Sequence, residues 1–427
     1  MPFSLLWVYV PLVLLLLYAL KIHQRIGWPF WLLAVLYVLN LGGSELNLWY
    51  HLRRYSQSDA AFYFEQARSI LTDFRGRPFD LLYDVFFNWG DWRGHLNFLD
   101  PNNTPYWSNL GSLFNGKFML LATRLGGEQI YVTPVFYTLS FFVGQLFLYR
   151  SACMLAMDKR WVMIPVIFLL PSVLFWCQGI HKDGWMMGAF GIVLYTLLRY
   201  RNSTQFQVVA ILFGALLFSL LVRYFYIMLL VPALLFYFMA KEKKSALPVF
   251  VGGYGFLFLI LWMSSQWHWP INPMPLLLSK QEAFIALKGV TSFYLPPLSE
   301  HVFSLFQAMP VALWHVFITP PVTSDSIVWQ AVACGESVAI LALWVFLLFR
   351  VKAGAWQNRY FLFIVAYSLT AYLLIGVTIP NTGALLRYRS EYVLFLTMVF
   401  TAVSNQAWVY SANRKIGKFI SPSASHI

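Results

Sequence analysis

The chain has 427 residues, of which 59% are hydrophobic and only 11% are charged, and this composition excludes a water-soluble globule with a single apolar core. Its net charge of +13 is carried by residues that lie between long apolar runs, so a membrane protein is expected and a nucleic-acid partner is not. The three cysteines, Cys153, Cys177 and Cys334, have no paired spacing, which indicates neither a disulfide framework nor a zinc site.

Apolar runs recur along the whole chain and predict an all-α polytopic membrane protein with about 11 transmembrane helices. Runs of about 17–22 residues have the length that a helix needs to cross about 30 Å of hydrocarbon. The first run lacks a basic leader and a small-residue cleavage site, so we expect a retained helix. The predicted spans are 4–20, 27–42, 130–149, 161–178, 185–198, 206–222, 225–240, 246–266, 328–349, 360–379 and 392–409.

The basic residues are divided unequally between the connections. Sixteen lysines and arginines, against two acidic residues, fall in one set of alternate connections, and cytoplasmic loops carry such an excess. The pattern predicts an outward amino terminus and a cytoplasmic carboxyl terminus. In this topology the chain is a single integral membrane domain, 1–427, whose two long connections, 43–129 and 267–327, are both extracytoplasmic.

The first long connection, 43–129, is rich in aromatic residues and contains two stretches of helical period, 59–71 and 110–124. Apolar and polar residues alternate in them in a way that suits juxtamembrane helices in the headgroup plane. In the second connection, 301–318 is apolar but is interrupted by Pro310, which favours an interfacial or re-entrant helix over a crossing.

Asp59 follows Ser58 at the start of the first helical stretch. A polar residue here can cap the free amides of the helix, and a carboxylate is favoured at the positive end of its dipole. A carboxylate just outside the bilayer is also placed to accept a proton from an incoming hydroxyl or to hold a divalent cation. The residues alone leave both roles open.

Ionisable residues also occur in two short connections on the predicted outer side. His181, Lys182 and Asp183 follow one another between two spans, and Arg223 lies in a tight turn. They are either ordinary turn charges that face water, or parts of a site. In such a site Lys182 and Arg223 would bind a phosphate, and His181 or Asp183 would orient an acceptor or a metal ion.

Arg387 and Arg389 lie two residues apart after a turn that contains Gly383. If the backbone there is extended, both guanidinium groups reach one phosphate, whose oxygens match their bidentate geometry. Anchoring at lipid headgroups is the alternative. Glu336 lies about eight residues, or about 12 Å, into its span and is expected to face a cavity or a basic partner.

The arrangement of Asp59 and Tyr63 on a juxtamembrane helix after an early span resembles the GT-C superfamily of polyprenol-phosphate-dependent glycosyltransferases. In that superfamily the acidic residue of the first loop is the catalytic base or an acceptor-binding group, which implies this role for Asp59. Many members have an Asp-Glu pair here, whereas Ala60 follows Asp59 in this chain. The segments 171–184 and 381–389 are similar to stretches of membrane proteins from bacterial polysaccharide clusters, which implies a bacterial inner membrane and a cell-envelope glycan context.

The sequence contains no Walker loop, dinucleotide fingerprint, HExxH or CxxC motif, so an activated substrate is expected to arrive in the membrane. The resemblance implies a glycosyltransferase that moves a sugar from a polyprenyl phosphate or diphosphate to a glycan, lipid or protein acceptor on the outer face. A divalent cation is the one cofactor to consider. The alternatives are a polymerase or ligase of lipid-linked glycan repeats and, from another class, a transporter or flippase with a polar pathway through its helices.

Overall fold

The computed structural model describes residues 5–54, 58–87, 104–200, 205–240, 245–266, 272, 274–286, 291–318, 327–352 and 354–420. Every regular element in these ranges is a helix, which confirms the predicted helical class. Parts of both long connections, including 88–103, 267–271, 287–290 and 319–326, lie outside the described residues.

Eighteen α-helices are found within the described ranges. Those before residue 200 are α1 (Leu6–Ala19), α2 (Ile22–Ile26), α3 (Phe30–Arg54), α4 (Asp59–Asp73), α5 (Pro78–Phe87), α6 (Thr104–Leu125), α7 (Thr133–Leu155), α8 (Met163–Phe168) and α9 (Asp183–Arg199). Those after it are α10 (Phe206–Val222), α11 (Tyr224–Met239), α12 (Leu247–Gln266), α13 (Met274–Ala286), α14 (Phe303–Ile318), α15 (Ile327–Leu348), α16 (Arg359–Thr378), α17 (Thr382–Val403) and α18 (Ala407–Ile420).

Five helical segments of the described chain are long and apolar enough to cross a membrane by length and composition. Four shorter apolar helices, α1, α10, α11 and α14, accompany them. These helices agree with a helical membrane protein, while the number of about 11 crossings stays a prediction. The five segments are Phe30–Arg54, Ile130–Leu155, Leu247–Gln266, Gln330–Leu348 and Arg359–Thr378.

Two predicted spans in the first half of the chain, 27–42 and 161–178, differ most from the helices of the structure. The span 27–42 continues to Arg54 as α3, so the first long connection begins later than predicted. The span 161–178 is not one helix, because α8 ends at Phe168 and a π-helical turn follows at Val173–Cys177. Pro171 explains the break, since the residue before a proline disfavours the helical conformation.

The last predicted span, 392–409, begins and ends earlier as α17. Asn381 starts the helix, because its side chain accepts a hydrogen bond from the N–H of Ala384 at 3.2 Å. Ser404 ends it with an extended backbone, φ −65° and ψ 140°. The residues beyond form the separate helix α18, which carries Arg414, Lys415 and Lys418.

The chain divides into two compact units. The first unit comprises Met1–Met154, Ile167–Ile227 and Ile416–Ile427, and the second comprises Leu155–Val166 and Met228–Lys415. In the first unit α4 packs along α6, α10 packs on both α6 and α9, and α3 packs against the π-helical turn. In the second unit α16 packs on α14 and α17, with Tyr367, Tyr372 and Tyr392 buried in its interior.

Lys159 joins two connections within the second unit. Its buried Nζ donates hydrogen bonds to the backbone oxygens of Thr401 and Ala402, both at 2.9 Å, and to that of Ser404. These carbonyls lie at the end of α17, where the helix dipole favours a cation. Burial, and secondly the charge of Lys352, lower the pKa of Lys159 to about 8.

Replacement of Lys159 by Met should lower the free energy of unfolding by about 2–4 kcal/mol, because buried carbonyls lose a charged donor. Thermal unfolding of the protein in detergent micelles measures this change. The control is Lys352→Met, since the ion pair of Lys352 Nζ with Asp158 Oδ2 (3.2 Å) is partly exposed and is worth less than about 1 kcal/mol. Equal effects of the two substitutions would contradict the anchoring role of Lys159.

Candidate functional site

Lys182 and Asp183 lie where α9 begins. Asp183 is the first helical residue, and a carboxylate there is stabilised by the positive end of the helix dipole. Asp183 is fully buried, His181 is only 3% exposed, and Lys182 is half-buried. These three residues therefore do not form a turn that simply faces water.

Asp183 forms a buried ion pair with Arg223. Asp183 Oδ1 lies 2.8 Å from Arg223 Nη2, and the two side chains are 0% and 11% exposed. Arg223 lies between α10 and α11 and has an extended backbone, φ −153° and ψ 93°. Its Nη1 also donates a hydrogen bond to the hydroxyl of Tyr226 at 2.9 Å. Two connections that the sequence analysis selected separately are thus joined directly.

Lys182 contacts α6 through Ser112, to whose Oγ its Nζ donates a hydrogen bond at 3.0 Å. Helix α6 can approach the end of α10 here because Gly111 has no side chain. A Cβ on Gly111 would overlap the carbonyl oxygen of Val222 and would lie 3.4 Å from Lys182 Nζ. A lysine ammonium has three N–H donors, and Ser112 fixes its position without neutralising its charge.

His181 is buried beside the end of α3. Its ring centroid lies 5.4 Å from that of His51, and the rings of Phe175 and Trp176 also lie against His51. His51 Nδ1 lies 2.8 Å from the backbone oxygen of Asn47. Because a carbonyl oxygen only accepts hydrogen bonds, this nitrogen is the donor. The structure therefore adds His51, which the sequence analysis did not select, to the neighbourhood of His181.

Gln178 precedes His181 in the same connection and is fully buried. Neither its amide oxygen nor its amide nitrogen has a hydrogen-bond partner within the described ranges. An unsatisfied buried polar group costs about 1–3 kcal/mol, so such a group indicates a place that a polar ligand or an ordered water can fill.

An apolar groove adjoins this polar cluster. It has a volume of about 320 Å³, it is lined by α7, α9 and α10, and Gly184 and Trp185 form part of its wall. Gly214 also lines it, and the missing side chain there leaves open space, whereas a Cβ on Gly188 would lie 3.2 Å from the Cα of Gly144 in α7. Gly184 directly follows Asp183, so the charged residues at the start of α9 lie next to the apolar wall of the groove. This order suits an amphiphile with an anionic head and an apolar chain.

Asp59 is the first residue of α4, and its side chain is exposed. The N-cap is Ser58, whose hydroxyl accepts a hydrogen bond from the N–H of Ala61 at 3.2 Å. The predicted helix is therefore confirmed, with Ser58 as its cap and Asp59 as its first residue rather than the cap. Since α4 packs along α6, Asp59 belongs to the same unit as Ser112 and Lys182. Its role as a base or metal ligand stays a prediction.

The two late arginines lie in α17, in the second unit. The extended backbone that would bring both to one phosphate is absent, and residues two apart on a helix point about 160° away from each other. The prediction of a shared phosphate is therefore wrong. Arg389 is 3% exposed and donates hydrogen bonds to the backbone oxygen of Val316 at 2.6 Å and to the hydroxyl of Ser337. Arg387 is half-buried, and phosphate binding by it stays a prediction.

Glu336 lies in α15 and is half-buried. It interacts electrostatically with Arg389, whose guanidinium also donates to the neighbouring Ser337. A basic group therefore lies near Glu336, which agrees with one of its two predicted surroundings, while a direct ion pair with Arg389 stays a prediction. The hydrogen bond from Arg389 to Ser337 joins α17 to α15 within the second unit.

No group of three or more His, Cys, Asp or Glu side chains in the described part of the chain is arranged to hold a metal ion. Asp183, predicted to orient an acceptor or a metal ion, instead has Arg223 as its ionic partner. A divalent cation at Asp59 or His181 stays a prediction.

Four predicted site residues, His181, Lys182, Asp183 and Arg223, lie together in the first unit. Ser112 joins them through its hydrogen bond, but a lone serine in a helical stretch carries no pattern that would have selected it. Comparison of the chain with models of protein families, with curated proteins and with solved structures finds no match.

Replacement of Asp183 by Ala should lower the free energy of unfolding by about 3 kcal/mol, because it leaves the guanidinium of Arg223 buried without its carboxylate. The double variant D183A/R223M should recover part of this loss, since it removes both charges. Thermal unfolding in detergent measures both. A loss below about 1 kcal/mol in the single variant would mean that water screens the pair.

Proposed function

We propose that this chain is a membrane glycosyltransferase of the GT-C type, which moves a sugar from a polyprenyl phosphate or diphosphate to an acceptor. The reaction would take place on the extracytoplasmic face of a bacterial inner membrane, in the synthesis of cell-surface glycans. The acceptor is a glycan, a lipid or a protein that presents a hydroxyl or amide group.

The observation that supports this function best is that two cationic side chains lie beside the start of α9 and an apolar groove follows them along the helix. Lys182 and Arg223 lie at the start of the helix, and the groove of about 320 Å³ begins at Gly184. A polyprenyl phosphate has the matching order of an anionic head and a long apolar chain. Binding of such a donor would bury its chain against α7, α9 and α10.

The proposed chemistry is a displacement at the anomeric carbon of the donor sugar. The acceptor oxygen or nitrogen forms the new bond, the bond from the anomeric carbon to the phosphate oxygen breaks, and Asp59 takes the acceptor proton. Lys182 and Arg223 stabilise the negative charge that develops on the leaving phosphate. Asp183 positions Arg223, and His181 orients the acceptor.

Purified protein in lipid nanodiscs, supplied with a panel of radiolabelled polyprenyl-phosphate sugars and an envelope extract as acceptor, tests the proposal. We expect sugar to appear on the acceptor and polyprenyl phosphate to be released in equal amounts. Growth of long chains from preassembled repeats would identify a polymerase or ligase instead. Failure to release polyprenyl phosphate from any donor would contradict the proposal.

A flippase for the same class of lipid is the second candidate. Asn40, Ser44 and Asn47 are buried on one face of α3, at the i, i+4 and i+7 spacing of a helical stripe. A polar stripe inside a helix that is long and apolar enough to cross a membrane is the feature that the transporter class requires. Movement of a fluorescent polyprenyl phosphate across proteoliposomes, without any sugar transfer, would favour this candidate.

A further inference from the structure

The aromatic residues of helix α5 are exposed, whereas one of its carboxylates is buried against the rest of the first unit. Asp84 is 8% exposed, whereas Phe79 is 83% and Phe87 is 72% exposed. The spacing of the exposed residues, i, i+3, i+4, i+7 and i+8, places them on one helical face. This aromatic face consists of Phe79, Leu82, Tyr83, Phe86 and Phe87.

The orientation of α5 about its axis is fixed by Lys117 of α6. Lys117 Nζ lies 3.3 Å from Asp84 Oδ2 and donates a hydrogen bond to the backbone oxygen of Asp84. The two side chains are only 4% and 12% exposed. Rotation of α5 to hide its aromatic face would pull Asp84 away from Lys117 and leave both charges without this partner. The ion pair therefore holds the aromatic face outward.

The beginning of α5 lies at the level where the chain enters a span. Pro78 shares the wall of a small pocket, of about 160 Å³, with Arg124 and Glu128. Glu128 comes two residues before the apolar segment Ile130–Leu155. Tyr9, in the apolar helix α1, donates a hydrogen bond to the backbone oxygen of Leu125 at the same level.

The pocket beside Pro78 is basic. Arg75 and Arg124 both line it, and Glu128 is the only acidic residue in its wall. Guanidinium groups match the geometry of phosphate oxygens. Helices that lie at the boundary between lipid headgroups and acyl chains typically combine aromatic side chains with such cations.

We propose that α5 is an interfacial anchor whose aromatic face lies in a phospholipid leaflet, with the pocket of Arg75 and Arg124 at the level of the lipid phosphates. The occupant of the aromatic face is the bilayer itself. The proposal is independent of the sugar-transfer function, and it assigns to Lys117 and Asp84 the role of setting the rotation of the anchor.

Fluorescent labels on α5 test the proposal in the full-length protein, in nanodiscs that contain phospholipids with a nitroxide near the start of the acyl chain. The chain, with its native cysteines replaced by Ala, carries an environment-sensitive label at either Phe86→Cys or Asp80→Cys. We expect nitroxide quenching at 86 to exceed that at 80 by about threefold, and aqueous iodide to show the opposite preference. Asp80 is the matched control because it lies on the same helix, about 120° around the axis from Phe86, and its charged side chain is 58% exposed.

Three outcomes would overturn the proposal. If iodide quenches the label at 86 as well as that at 80, the aromatic face lies in water. If neither quencher reaches 86, protein covers the face. If Lys117→Met leaves the preference of position 86 unchanged in protein that still elutes as a monodisperse species, the ion pair does not set the rotation.

Discussion

Replacement of Asp59 by Asn is expected to reduce sugar transfer by about 10²–10⁴-fold, the contribution of a positioned general base. Asn keeps the size and hydrogen-bonding capacity of the side chain but cannot take a proton. Folding should be preserved, because the N-cap of α4 is the hydroxyl of Ser58 and the Asp59 side chain is exposed. Transfer in nanodiscs and the melting temperature in detergent are the two measurements.

The matched control for this substitution is Asp73→Asn. Asp73 is the last residue of α4 and is also exposed, so it tests a lost charge on the same helix away from the proposed reaction. We expect wild-type transfer from this variant. Wild-type transfer by the Asp59→Asn variant would show that Asp59 is not the base. Its carboxylate would then only interact favourably with the dipole of α4.

Replacement of Lys182 by Met is expected to lower kcat/KM for the lipid-linked donor by about 10²–10³-fold, the loss that follows when one stabilising donor for a developing anion is removed. Met retains most of the aliphatic stem, so packing against α6 is largely kept. The rate of polyprenyl phosphate release, measured at low and at saturating donor, separates a loss of donor binding from a loss in the chemical step.

Ser112→Ala provides the control for Lys182→Met, because it removes the hydrogen-bond acceptor at 3.0 Å and leaves the ammonium in place. A loss of less than about tenfold is expected from it, in line with the modest net worth of one hydrogen bond. Lys182→Arg should keep part of the activity through its charge. If Ser112→Ala and Lys182→Met have the same effect, Lys182 is a structural contact and not a phosphate ligand.

Apolar runs predicted the bounds of several helices closely, since a helix in lipid must be apolar from end to end. The predicted span 206–222 coincides with α10, 246–266 differs from α12 by one residue at its start, and 360–379 differs from α16 by one residue at each end. The predicted bounds are wrong where a polar residue caps a helix or interrupts an apolar run. Helix α17 starts at Thr382 because Asn381 caps it, although Arg387, Arg389 and Glu391 interrupt the apolar pattern there.

The candidate site was predictable only in part. The sequence indicated His181, Lys182, Asp183 and Arg223 as charges beside spans, but their pairing depends on how α6, α9 and α10 pack. Gly111 permits that packing, and a glycine in a helical stretch does not reveal which backbone it will meet. The burial of Asp84 in α5, beside exposed aromatic residues, also depends on packing, because the partner of Asp84 is Lys117 of α6.

The break after Phe168 has a consequence for the biogenesis of the protein. Backbone groups that leave the α-helical pattern at membrane depth are tolerated only where protein surrounds them. The π-helical turn Val173–Cys177 lies against α3, and a Cβ on Gly43 of that helix would overlap the backbone of Leu174. If the predicted span 161–178 crosses the membrane, we expect it to insert after α3 and against it, because α3 then shields the backbone groups of the π-helical turn from lipid.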